Sequence, residues 1–238
     1  MLSDTDRFAR RAAVVALVGG PLVTLAGMLA TPWEKEATTA SYHDALAAHP
    51  DQAQVAAILL HLGYLLLLPA ALAMFHLARR ATPRLTHVGG VLALIGLGSL
   101  PGLLVTDFYD LALAQGLPRS QSVAISDSVG GAGMVALAIP AIGGTVLGLT
   151  LLGVATWRAG IARGWVPFAI FLGWFAPLAS GTGLLPAAAG ATLLVLAIGS
   201  IGLRVARMSD AEWIAVPAAP RQRTLRAKSP KIASESAA

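Results

Sequence analysis

Long runs of apolar residues alternate with short polar intervals along most of this chain. A helix rises 1.5 Å per residue, so a run of about 20 residues crosses a hydrocarbon core about 30 Å thick. We therefore predict an all-α, polytopic integral membrane protein with six transmembrane helices. The predicted spans cover residues 12–31, 53–77, 87–108, 130–156, 164–180 and 184–203.

The composition excludes a soluble globular protein. Apolar residues make up 56% of the chain and charged residues only 12%, whereas a soluble domain carries about 25% charged residues. The chain has no cysteine, which excludes disulfides, thiolate metal sites and cysteine nucleophiles.

The distribution of basic residues predicts how the chain threads the membrane. If six spans are correct, fifteen of the seventeen Lys and Arg residues lie on the side of the amino terminus, and only Lys35 and Arg119 lie opposite. The positive-inside rule then places both termini in the cytoplasm, and we expect a bacterial plasma (inner) membrane. The first span is read as a membrane helix rather than a signal peptide. It is longer than a typical signal core, and Met28-Leu29-Ala30 fits a cleavage site poorly.

The predicted organisation has three parts: a cytoplasmic amino terminus (1–11), a membrane domain (12–208) and a basic, largely disordered cytoplasmic tail (209–238). In the first outer loop, Ser41 is predicted to cap a short helix that Pro50 ends. Residues 109–129 are predicted to form the second outer loop. The tail is predicted to contact anionic lipids through Arg221, Arg223, Arg226, Lys228 and Lys231.

Small residues recur at four-residue spacing within the spans. Such pairs allow close approach of helices in lipid, either within the chain or in a homo- or hetero-oligomer. Pro140 lies in the middle of the fourth span, where it forms a hinge or an ordinary kink. A faint similarity between the two halves leaves an inverted repeat open, an arrangement common in transporters. The small-residue pairs are Gly98 with Gly102, Gly144 with Gly148, and Ala187 with Ala191.

Ionisable residues inside a membrane span are candidate functional residues because their burial is costly. In the hairpin of the second and third spans, positions whose numbers add to about 165 are predicted to lie side by side. This register places His61, Tyr64, Asp107 and Asp110 in one polar cluster. A carboxylate beside an imidazole can form a proton relay or a pH switch. The alternative is that His61 bonds a nearby carbonyl and Asp107 lies among the lipid headgroups.

The sequence predicts no cofactor and no metal site. A bis-histidine haem using His61 and His76 lacks a histidine partner for His61. The first outer loop carries four metal-capable side chains, but their spacing matches no metal motif. Ser99, Ser180 and Ser200 have no base beside them in sequence, which leaves only a spatial dyad open. The metal-capable residues are His43, Asp44, His49 and Asp51.

Three functions agree with these features. The first is a non-catalytic membrane component that binds a partner or a lipid. The second is a small proton-linked transporter that uses His61 and Asp107, and the third is an intramembrane enzyme acting on a lipid or isoprenoid substrate. Catalytic motifs are missing, which favours the first; whether the chain is an enzyme stays open. The expected partner is the lipid bilayer and not nucleic acid.

Overall fold

The computed structural model describes residues 4–129, 131–180 and 183–215. Within these ranges 87% of the residues are helical and none forms a strand, which confirms the predicted all-α class. The helices are α1 (Asp4–Ala30), α2 (Thr39–Ala48), α3 (Pro50–Ala78), α4 (Pro83–Gly116), α5 (Arg119–Val129), α6 (Ala132–Ala138), α7 (Gly144–Arg158), α8 (Val166–Ser180), α9 (Leu184–Ala206) and α10 (Asp210–Ala215), with a π-helical turn (Ile139–Gly143) joining α6 to α7.

Five helical stretches are long and apolar enough to cross a membrane. They coincide with the first, second, third, fourth and sixth predicted spans. The fifth predicted span contains α8, whose 15 residues extend about 22 Å and fall short of a hydrocarbon core. The five long stretches are Thr5–Ala30, Pro50–Ala78, Pro83–Gly116, Gly133–Arg158 and Leu184–Ala206.

Two predictions about the loops were wrong. Residues 109–129 are not a loop, since α4 continues to Gly116 and α5 begins at Arg119. Polar residues end the apolar run at Asp107 but do not end the helix, because a helix ends where its backbone bonding stops and not where lipid contact stops. In the first loop, Thr38 rather than Ser41 is the cap of α2: the Thr38 side chain accepts a hydrogen bond from the Ser41 N–H.

Six of the helices form a closed ring in the order α1, α3, α4, α7, α8, α9, with α9 packed back against α1. Each neighbour is antiparallel to the next. Along the α1–α3 contact, for example, Gly27 lies beside Leu60 and Gly20 beside Leu67. Along the α1–α9 contact, Leu17 lies beside Gly202. A ring in which every helix is antiparallel to both neighbours closes only with an even number of helices. The five long helical stretches therefore need α8 as an additional member.

Small residues set the closest contacts in the ring. Gly144 and Gly148 of α7 pack against the backbone of α4 at Gly96 and Ala93, so this predicted pair does mediate close packing. The predicted pair on α4 does not: a Cβ placed on Gly98 or Gly102 meets no atom within 4 Å. Ala187 and Ala191 are buried on α9.

Pro140 lies within the π-helical turn between α6 and α7. A proline removes one backbone donor, and a wider turn accommodates the carbonyls that lose their partner. The predicted disturbance at Pro140 is therefore a local widening of the helix. This turn contributes Ile142 to the centre of the ring.

The two ends of the ring differ in charge and in what covers them. At the end where α1 begins, here called the basic end, Arg10 pairs with Asp210 at 3.0 Å. There α10 also covers α3, since the Trp213 carbonyl lies 3.0 Å from His76 Nε2 and the two rings stack 4.3 Å apart. At the opposite end, here called the capped end, α2 and α5 lie across the helix ends.

The close α4–α7 contact yields a stability prediction. In Gly148→Ala, the new Cβ would overlap the backbone of Ala93, which cannot rotate away. We expect a loss of about 1–3 kcal/mol in the free energy of unfolding, measured by circular dichroism during denaturant unfolding in detergent. Gly102→Ala is the matched control, because its Cβ meets open space and alanine favours a helix. Equal stability of the two variants would contradict the packing role of Gly148.

Candidate functional site

The register predicted for α3 and α4 agrees with the structure, but the predicted cluster is divided. Phe75 lies against Gly90, as positions that add to 165 require. Further along the same hairpin, Tyr64 and Asp107 line one cavity. His61 is not among the residues that line it, although Nδ1 of His61 is buried without a hydrogen-bond partner in the described chain.

Helical phase explains why Tyr64 rather than His61 faces α4. Leu60, Tyr64 and Leu67 form one stripe at spacings of four and three residues, and all three are buried. His61 is rotated about 100° from Leu60 and lies beside the exposed Leu62 and Leu65. The cluster predicted from sequence therefore reduces to Tyr64 and Asp107 at this cavity.

The central cavity lies inside the ring and has a volume of about 320 Å³. Its wall is almost wholly apolar, and Asp107 is the one charged residue that contributes to it. Helices α1, α3, α4, α8 and α9 and the π-helical turn all take part. The lining residues are Thr24, Met28, Tyr64, Leu100, Leu103, Leu104, Asp107, Ile142, Gly173, Trp174, Pro177, Leu178, Ala187, Ala191 and Leu194.

A second cavity of about 260 Å³, here called the cap cavity, lies between the central cavity and the capped end. Four residues line both cavities: Met28, Tyr64, Leu104 and Asp107. Asp107 and Tyr64 therefore stand where the two cavities adjoin. The remaining lining residues of the cap cavity are Thr31, Pro32, Trp33, Glu34, Tyr42, Leu46, Ala53, Ala56, Ala57 and Leu60.

The polar groups around this junction lack protein partners. Tyr64 is 6% exposed, and its hydroxyl forms no hydrogen bond with any residue in the described ranges. Its ring lies 5.6 Å from the ring of Trp174, whose Nε1 is buried and has no hydrogen-bond partner within the described ranges. None of the ion pairs among the described residues includes Asp107. A carboxylate, a phenol and an indole N–H thus remain available to a bound molecule.

Trp174 and Tyr42 are site residues that the sequence analysis missed. A signal existed for Trp174, because it lies mid-span, whereas the other four tryptophans lie near span ends or in flanking segments. An indole N–H deep in an apolar span needs a partner. Tyr42 had no comparable signal, since its approach to the cavity depends on how α2 folds back over the ring.

Helix α2 lines one side of the cap cavity through Tyr42 and Leu46, and polar side chains join α2 to α5. Thr39 donates to Asp127 at 2.7 Å. Arg119 donates two hydrogen bonds of 2.7 Å to the Asp44 carboxylate. The hydrogen bonds from Arg119 hold the pKa of Asp44 below its ordinary value. Tyr42 belongs to α2 and lines the cap cavity, and burial together with nearby carboxylates raises its pKa well above its ordinary value.

A third link ties this cap to α4. Ser126 Oγ donates to Asp110 at 2.8 Å, so the Nε2–H of His43 donates to Ser126 Oγ at 2.9 Å. His43 is 2% exposed and its Nδ1 has no partner among the described residues. This is a spatial serine–histidine pair that sequence order could not reveal. The direction of the hydrogen bond between them is wrong for nucleophilic catalysis. A catalytic serine donates its proton to the imidazole, whereas Ser126 donates to Asp110 and accepts from His43.

The metal-capable side chains of the first loop do not converge. Asp44 pairs with Arg119, His43 bonds Ser126, and Asp51 is exposed at the start of α3. Across the described ranges, no group of three or more His, Asp or Glu residues is placed to hold a metal ion. His43 and Asp44 are consecutive on a helix, which directs them to different neighbours.

Two further predictions concern the tail and haem. The tail residues predicted to contact lipid, Arg221, Arg223, Arg226, Lys228 and Lys231, lie outside the described residues. His76, considered for haem with His61, stacks against Trp213.

Comparison with protein-family models, with curated proteins and with solved structures finds no match. The interpretation of the site therefore depends on its own geometry.

The cap yields a prediction about pH. The pKa of Asp44 is lowered in the folded protein, so its pairing with Arg119 stabilises the cap above the ordinary value of 3.8. This contribution disappears as the pH falls through the lowered pKa. We expect hydrogen exchange in α2 and α5 to accelerate on acidification to that range, after correction for the intrinsic pH dependence of exchange.

Arg119→Gln is the control for this prediction. We expect faster exchange in α2 and α5 already at neutral pH and a smaller further change on acidification. A response to acid in Arg119→Gln as large as that of the parent protein would show that other groups control the cap.

Proposed function

We propose that the chain crosses the membrane six times with both termini in the cytoplasm. The antiparallel ring supports an even number of crossings. The ion pair of Arg10 with Asp210 supports termini on the same side, because it joins the start of α1 to the segment after α9. The excess of arginine at that end supports a cytoplasmic location. We extend this proposal to the plasma (inner) membrane of a bacterium.

The short α8 is compatible with a sixth crossing. It packs between α7 and α9, and its exposed face is apolar, with Phe168 71% and Leu178 56% exposed. Trp165 precedes α8 at the basic end, and indole rings anchor helices at membrane interfaces. A helix shorter than the hydrocarbon core is accommodated by local thinning of the bilayer at modest cost.

The absence of cysteine provides a direct test of this topology. Single cysteines at Thr82 and Ala162 should be protected from a membrane-impermeant maleimide in intact cells and react after lysis. Single cysteines at Ala37 and Gln121 should react in intact cells. A further single cysteine at the exposed Ala211, beyond α9, should also be protected, because six crossings return the chain to the cytoplasm whereas five leave Ala211 outside. Labelling of Ala211 in intact cells would contradict six crossings, and a reversed pattern throughout would contradict the cytoplasmic placement of the termini.

We further propose that the protein is a non-catalytic membrane component that binds a small, mostly apolar molecule in the central cavity. The observation that carries this proposal is the cavity itself: about 320 Å³ of space inside the ring, with an apolar wall and a few unpartnered polar groups at one end. Ligand pockets have this character and begin at about 300 Å³. The cap cavity offers the route of entry, because it adjoins the central cavity at Asp107 and Tyr64.

Transport of the bound molecule is the second candidate function. The observation that favours it is the π-helical turn at Ile139–Gly143, which supplies Ile142 to the cavity wall. Irregular turns of this kind are frequent at functional sites and provide points of bending. An enzymatic function has less support, since Ser126 directs its proton to Asp110 and not to His43.

Filling the central cavity tests the binding function. We expect Ala191→Phe to lower the affinity for apolar probes such as N-phenyl-1-naphthylamine by about tenfold or more, because the ring occupies the space that the probe would fill. Affinity is measured by probe fluorescence in phosphatidylcholine nanodiscs, with empty nanodiscs subtracted. Ala189→Phe is the matched control: it makes the same change at an exposed position of α9. Equal binding by both variants would contradict a site in the central cavity.

A further inference from the structure

Two acidic side chains contribute to the walls of the two cavities. Asp107 lines both of them, and Glu34 lines the cap cavity. No Lys, Arg or His lines either cavity in the described part of the chain. A charge within a membrane bundle is costly unless a partner of opposite sign is present. The partner that this carboxylate lacks is a cation.

Aromatic rings surround the path to Asp107. Trp33 and Tyr42 line the cap cavity together with Glu34. Tyr64 stands at the junction, and Trp174 lines the central cavity beyond it. The faces of aromatic rings attract cations, most strongly those of tryptophan and where water is excluded. An acid with several rings and an apolar wall matches an organic cation better than a metal ion, which needs several oxygen or nitrogen ligands.

Tyr64 provides a second, independent indication. The Tyr64 side chain is only 6% exposed and lines both cavities. Its hydroxyl has no hydrogen-bond partner among the described residues. The hydroxyl oxygen is not among the fully buried unpartnered atoms of the described residues, so it is accessible from the cavities that Tyr64 lines, where a bound molecule can supply the missing hydrogen bond. Its oxygen can accept a hydrogen bond from an ammonium group that pairs with Asp107.

We propose that the molecule bound in the central cavity is an organic ammonium cation, with its charged nitrogen at Asp107 and its apolar body against Trp174, Leu194 and Ala191. This inference rests on the proposed binding function and adds the chemical class of the ligand. Asp107 is then the residue that determines specificity for positive charge. Glu34 at the cap cavity favours the approach of the same class of molecule.

A pair of probes with the same shape tests the inference. Protonated N,N-dimethylbenzylamine and isobutylbenzene differ in that a charged N–H replaces a neutral C–H. Binding of each is measured by equilibrium dialysis against phosphatidylcholine nanodiscs that contain the parent protein or Asp107→Asn. Because both proteins are measured in the same lipid, partitioning of each probe into the bilayer cancels in the ratio of the two affinities.

We expect Asp107→Asn to weaken binding of the cation by about tenfold or more and to leave binding of the neutral probe unchanged. Asp107→Glu keeps the charge and should keep the preference for the cation. Asp51→Asn is the control for net charge, since it removes an exposed acid at the start of α3. Each variant is first checked for unchanged helicity and a monodisperse elution profile.

The other outcomes overturn the inference in distinguishable ways. If both probes bind and Asp107→Asn weakens neither, the cavity binds apolar molecules but does not select charge. If Asp107→Asn weakens both probes equally, Asp107 shapes the cavity and does not recognise a cation. If neither probe binds the parent protein above empty nanodiscs, the inference and the proposed binding function both fail.

Discussion

Contact between helix backbones at small residues is the interaction on which the rest of this structure depends. Lipid tails are as apolar as leucine, so burial of apolar surface does not hold membrane helices together. Close packing does, and it requires positions without large side chains. Gly96 and Gly148 bring α4 and α7 into backbone contact, and Gly173 and Gly190 do the same for α8 and α9. These contacts fix where each helix lies along its neighbour, and the ring can then close.

The same preference for small residues explains why the ring is hollow at one end. In the half near the basic end, large side chains such as Leu67, Met74, Leu152 and Ile198 fill the centre and are fully buried. In the half near the capped end, Thr24, Gly173, Ala187 and Ala191 face the centre instead. Six helices around a common axis leave more space than such side chains can fill. The central cavity is therefore a consequence of which residues occupy the inner face, and α2 and α5 cover the end where it lies.

Much of the fold could be predicted from the sequence, because the long apolar runs report directly on contact with lipid. The register of α3 with α4 was also accessible, since the short connection between them fixes which residues are level. The face that α3 turns toward α4 could not be predicted, because α3 is apolar on nearly every side. Leu60 and Leu62 look equivalent in sequence, yet one is buried and the other exposed. This ambiguity explains why His61 was placed with Asp107 although Tyr64 occupies that position. The contact of Ser126 with His43 joins residues 83 positions apart and leaves no local signal.

Asp107 and Asp110 provide a comparison within one helix. They lie three residues apart near the end of α4, on neighbouring parts of its surface. Asp110 is partly exposed and accepts a hydrogen bond from Ser126, with His43 beyond it, so its carboxylate has a donor within the fold. Asp107 has no such donor among the described residues, although it lies deeper and lines both cavities. The chain can supply polar partners to a carboxylate at this depth, because it does so one turn away. An acid that the fold leaves unpartnered beside a cavity is therefore better explained by what enters the cavity than by what holds the helices together.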